Sequence, residues 1–131
     1  MLFHVFASQE ERREFGGSDF IELQYCRLRH GSKIKEIVSI SAIGGWKDDS
    51  LYISGDDTEV FFSHYSKIFN GGIYANETSG VVDLCGINYY SPEQSGLIIG
   101  QVRKERPLDY PILLSWLKDA KKYNGFYVLG L

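Results

Sequence analysis

The sequence predicts an α+β fold: a mainly antiparallel sheet with about three helices packed on it, in a single domain over residues 1–131. Three observations carry that prediction. Residues 20–29 alternate as a half-buried strand requires, with Ile21, Leu23 and Tyr25 on one face and Glu22 and Gln24 on the other. Two later stretches repeat apolar residues at helical spacing: Val60, Phe61, His64, Tyr65, Ile68 and Phe69, then Ile112, Leu113, Trp116, Leu117 and Ala120. The chain order of strands, helix, strand, helix pair and closing strand fits a sheet with helices layered over one face.

Taken in order, Leu2–Ala7 is a short apolar run that predicts a first strand. Gln9–Gly17 is charged and ends in a glycine pair, which predicts a loop or a single helical turn. His30-Gly31-Ser32 is turn chemistry between the strand at 20–29 and the Ile- and Val-rich run Lys33–Ile43, so residues 20–43 predict a β-hairpin. Leu51-Tyr52-Ile53 predicts a short strand between polar stretches. Asp56 and Glu59 have the spacing of an acidic capping box for the helix that follows, and Asn70-Gly71-Gly72 ends it. Ile73–Ser79 predicts a loop or short strand, and Val81–Ile87 a strand interrupted by Gly86.

The strongest local signals lie after Tyr89. Ser91 at an N-cap, Pro92 at the first helical position and Gln94 placed to close a capping box predict a helix start. A second helix is predicted from near Asp109. Asn124-Gly125 supplies left-handed residues to stop it, and Phe126–Leu129 predicts the last strand.

Composition restricts the function. Hydrophobic content of 44% and aromatic content of 15% belong to an ordered globular protein. A net charge of −3 argues against nucleic acid or an anionic membrane as partner. No apolar run reaches membrane length, and the short apolar start is followed by a charged cluster from Glu10 to Glu14 that suits no signal peptide, so a cytoplasmic protein is expected. Cys26 and Cys85 are two distant cysteines, expected as reduced, packed thiols rather than a disulfide framework.

No catalytic motif appears. His4, His30 and His64 share no partner spacing, and no nucleophile elbow is present. Asp48-Asp49 and Asp56-Asp57 are adjacent carboxylates that point apart on extended backbone and lack the alternating ligands of a calcium loop, so neither metal nor other cofactor is expected. Gly96 and Gly100 fall inside a helix without the strand or lysine of a phosphate loop, and close packing is the expected reason for them. Arg103, Lys104, Arg106, Lys118, Lys121 and Lys122 form a solvated basic face that answers helix dipoles.

The middle of the chain is different. Between Asp48 and Glu93 stand Asp48, Asp49, Asp56, Asp57, Glu59, Glu77, Asp83 and Glu93 against one basic residue, Lys67. Trp46, Tyr52, Tyr74, Tyr89 and Tyr90 lie in or beside predicted loops. Acid with exposed aromatics is material for a protein-binding surface, and a one-sign surface steers a cationic partner.

The segment from Asp109-Tyr110-Pro111 through Lys122-Tyr123-Asn124-Gly125-Phe126-Tyr127-Val128-Leu129-Gly130, within the C-terminal third of the chain, resembles the immunity proteins of bacterial polymorphic-toxin systems, including contact-dependent growth inhibition. That resemblance implies a cytoplasmic, non-enzymatic protein that binds a cognate toxin domain and blocks its active site or an exosite. The expected partner is basic, such as a nuclease, and the expected contact residues are Trp46, Asp48, Asp49, Tyr52, Asp56, Asp57 and Glu59. The alternative is a small enzyme or small-molecule-binding domain with a pocket between helices and sheet, using His64, Cys85 or Asp83.

Overall fold

The last strand of the chain lies in the middle of the sheet. In the computed structural model, which describes residues 1–16 and 19–130, six strands run in the order β2-β1-β6-β5-β3-β4. They are β1 (Phe20–Tyr25), β2 (Leu51–Ser54), β3 (Asn70–Ile73), β4 (Ser79–Val81), β5 (Ile87–Tyr90) and β6 (Phe126–Leu129), and every neighbouring pair is antiparallel. Five α-helices accompany them: α1 (Gln9–Gly16), α2 (Ile34–Ile37), α3 (Thr58–Tyr65), α4 (Pro92–Glu105) and α5 (Tyr110–Ala120).

Alternation along the strands splits the sheet into two apolar layers. Ile21, Leu23, Tyr25, Leu51, Ile53, Tyr90, Phe126 and Val128 point to the side covered by α3, α4 and α5. Their helical partners are Phe61 and Tyr65, Ile98, Ile99 and Val102, and Leu113, Trp116, Leu117 and Ala120, so the predicted stripe of α5 faces the core. Tyr25 is stacked between Trp116 at 4.1 Å and Tyr123 at 4.5 Å, and Trp116 stands edge-on to Phe126. The Trp116 indole N–H donates to the Asp49 carbonyl at 2.8 Å, which ties α5 to the approach to β2. The opposite side is covered as well, by Ile37 and Val38 over Cys26, Tyr89 and Tyr127, and by Phe6 over Phe20 and Tyr52. Helical cover on one face only was the expectation. The structure layers both.

The start of α4 follows its sequence. Ser91 Oγ accepts from the Gln94 N–H at 3.2 Å while Gln94 Oε1 accepts from the Ser91 N–H at 2.9 Å. Gln94 Nε2 also donates to the Gly71 carbonyl and so docks the helix onto β3.

Other expectations are corrected. Lys33–Ile43 is no strand and forms no hairpin with β1. It holds α2 and a 3₁₀ turn at Ile40–Ala42, because Ile34, Ile37 and Val38 follow i, i+3, i+4 spacing and close over the sheet, while Ile40 is 84% exposed. The strand expected at Leu2–Ala7 shrinks to one bridge between His4 and Tyr52, which covers the outer edge of β2. Gln9–Gly16 is a full two-turn helix, and Gly17 lies outside the described residues. Val81–Ile87 is broken by a turn in which Asp83 Oδ1 accepts from the Cys85 N–H. Cys26 is packed as expected, whereas Cys85 is exposed. Gly96 and Gly100 meet nothing within 4 Å on the outer face of α4, so close packing does not explain them. His64 is exposed on α3 rather than in its apolar stripe.

Candidate functional site

The seven residues expected to contact a partner are distributed around β2, an edge strand of four residues and thus about 13 Å long. Trp46, Asp48 and Asp49 precede it, Asp56, Asp57 and Glu59 follow it, and Tyr52 lies within it. The strand separates the two acidic groups to its opposite ends.

Tyr52 is the clearest correction. Its side chain is fully buried, because alternation turns it toward Phe6 and Phe20 under the Trp46 ring. Its hydroxyl accepts from the Lys47 N–H at 3.0 Å and donates to the Lys47 carbonyl at 3.2 Å, so it holds the loop before β2 instead of reaching solvent. Tyr89 and Tyr90, also expected near the surface, are buried on opposite faces of β5.

Ahead of β2, the loop at 44–50 is fastened to the sheet by polar side chains. Gln24 Nε2 donates to the carbonyls of Gly44 and Gly45, and Gln24 Oε1 accepts from the Gly44 N–H. Gln24 Nε2 and Ser50 Oγ donate to Glu22 at 3.0 and 2.7 Å. Asp49 is ion-paired with Arg27, and Asp48 is exposed. Trp46 is half-buried, with its indole N–H lacking a hydrogen-bond partner among the described residues. This end of β2 is largely committed to holding the loop in place.

Glu22 is the perturbed carboxyl of that cluster. Burial raises its pKa above the ordinary glutamate range, against the opposing effect of hydrogen bonds from Ser50 and Gln24 and of the Arg12 charge. The folded protein therefore retains this proton to higher pH than the unfolded chain. The stability contributed by the protonated group is complete below the ordinary glutamate range and is lost as pH rises through the folded value. Glu22→Gln is expected to remove that decline. Urea melts from about pH 4 to pH 7 should show wild type losing stability relative to the variant as pH rises. Parallel profiles would contradict the assignment.

Beyond β2 the chain turns directly into α3. The expected Asp56–Glu59 box is not made: Ser54 Oγ accepts from the Asp56 N–H at 3.3 Å, Thr58 Oγ1 donates to the Gly55 carbonyl at 2.8 Å, and Asp57 sits at the N-cap without a side-chain bond. Asp56 and Glu59 are exposed and Asp57 is half-exposed. Two shallow grooves flank this helix. One, of about 320 Å³, is lined by Met1, Leu2, Asp57, Val60, Leu108 and Asp109; the other, of about 340 Å³, by Thr58, Glu59, Phe62, Ser63 and Leu84. Val60 is 38% exposed, Phe62 40% and Leu108 46%. The Asp109 carboxylate accepts from the Leu2 N–H and so pins the first residues beside the helix.

The end after β2 thus combines exposed apolar side chains with acid, and it brings together Asp56, Asp57 and Glu59 of the expected set. Sequence reading missed Val60, Phe62 and Leu108. The helical spacing puts Val60 in the buried stripe, yet it sits one residue before buried Phe61 and therefore about 100° round the helix from it. Of the alternative set, His64, Asp83 and Cys85 are all exposed, and among the described residues no hydrogen bond or ion pair joins His64 to the other two. Among the described residues no group of three or more His, Cys, Asp or Glu could hold a metal ion, and no helix is long and apolar enough to cross a membrane.

The chain matches no protein-family model, no curated protein and no solved structure.

Proposed function

We propose that this is a non-enzymatic protein-binding module, an immunity protein that neutralises a basic cognate toxin domain in the cytoplasm of a bacterium. The binding surface is the α3 ridge, with Asp56, Asp57 and Glu59 as its acidic residues, Val60 and Leu108 exposed on one flank and Phe62 on the other. The observation that supports this most is the exposure of those three apolar side chains beside the two grooves. Water-facing apolar groups enclosed by charge have the anatomy of an interface, in which desolvated anchors give affinity and the rim gives orientation and on-rate. A nuclease toxin, basic because its substrate is a polyanion, is complementary to that rim.

In Asp56→Lys/Asp57→Lys the rim changes sign. Titration calorimetry against the toxin domain encoded beside this gene should show affinity falling about tenfold or more and the salt dependence diminishing, with the thermal melt little changed. Phe62→Ala should weaken binding by about 1–2 kcal/mol. An unchanged affinity and salt slope in the charge variant would remove the rim from the interface.

A further inference from the structure

Helix α1 buries none of its residues, yet one of its side chains reaches into the sheet. The Arg12 guanidinium carbon lies 5.7 Å from the Phe20 ring centroid and 5.5 Å from that of Tyr52, both within cation–π reach. Those rings meet at 5.9 Å and 80°, and Phe6 closes on both, at 5.7 Å from Phe20 and 5.4 Å from Tyr52. Trp46 packs against this cluster. Glu22 is the cross-strand neighbour of Tyr52, on the same face of the sheet, and its charge and that of Arg12 act on each other. Aromatic walls beside a carboxylate form a receptor for a planar cation, which the ring faces attract and the carboxylate orients. Here the chain supplies its own occupant, from a helix whose remaining hold on the fold includes the half-exposed Phe15 ring against His4, Phe6 and Phe20.

We propose that the recess formed by Phe20, Tyr52 and Glu22 is a binding site for an arginine side chain of a protein partner, filled in the free protein by Arg12, so that α1 is a strap that the partner's arginine displaces. The recess lies on the sheet face opposite α3, because Tyr52 points away from Leu51 and Ile53, which pack with α3, so the site stands or falls independently of the α3 surface. Partner arginine and Arg12 compete for one place. Apparent affinity in the wild type is therefore lowered by the fraction of time the recess is filled.

The test uses N-acetylargininamide as the probe and the Trp46 indole N–H resonance as the reporter, in the full chain. Arg12→Ala should give saturable Trp46 shifts at millimolar probe, with wild type weaker by about tenfold or more because its own arginine competes. Arg12→Ala/Glu22→Gln should again be weaker, and the uncharged N-acetylglutaminamide should give no saturable shift. If Arg12→Ala does not fold, Arg12→Gln retains part of the stem, and its melting temperature should rise with N-acetylargininamide but not with the glutamine analogue. A folded Arg12 variant that shows no saturable response, or one in which Glu22→Gln changes nothing, overturns the proposal.

Discussion

Trp116→Ala is expected to lower unfolding stability by about 3–5 kcal/mol, a large share of the roughly 5–15 kcal/mol available to a domain of this kind. The ring is 7% exposed, stacked on Tyr25 and edge-on to Phe126. Truncation leaves a cavity between α5 and strands β1 and β6, and it leaves the Asp49 carbonyl without its indole donor. Urea denaturation followed by circular dichroism measures the loss. A near-neutral midpoint would mean that the stripe on α5 is not core, and the division between scaffold and recognition surface would have to be redrawn.

Gly125→Ala is expected to cost about 3 kcal/mol or more. Gly125 has φ +77, and a Cβ there would stand 2.0 Å from the Tyr90 carbonyl oxygen and 3.1 Å from Ser91 Cα. Two penalties combine, a left-handed backbone that a side chain resists and a collision with backbone that cannot rotate away. The damage falls where β6 enters the sheet beside β5, so Gly125→Ala should lower the urea midpoint strongly, with any folded protein retaining its helices. A variant as stable as wild type would contradict the close approach of these two segments.

Features set by neighbours in sequence were legible before the structure. The Ser91–Gln94 box, the α5 stripe, the alternation of β1 and the left-handed Gly125 each depend on residues within a few positions of one another. Features that depend on register or long-range pairing were not. That β6 pairs with both β1 and β5 involves partners about 100 and about 40 residues away, respectively, and no local pattern encodes it. Lys33–Ile43 carries two conflicting signals: Ile and Val favour strands, while the i, i+3, i+4 spacing of Ile34, Ile37 and Val38 favours the helix that forms.

The candidate site divides in the same way. The acid at Asp56, Asp57 and Glu59 was visible as charge, but the apolar flanks were not, since Leu108 joins Val60 only through the fold. Tyr52 falls in a short predicted strand beside polar loops, and only pairing with β1 shows that it turns inward beside Glu22. The same pairing puts Arg12 over a ring 40 positions further along the chain.

Hydrogen–deuterium exchange with and without the proposed toxin domain tests the proposed α3 interface most directly. Amides of residues 56–63 and those near Leu108 are expected to slow on binding, while those of β6 keep the exchange of the free protein. Protection confined to residues 44–50, with α3 exchanging as before, would contradict it and place recognition at the other end of β2.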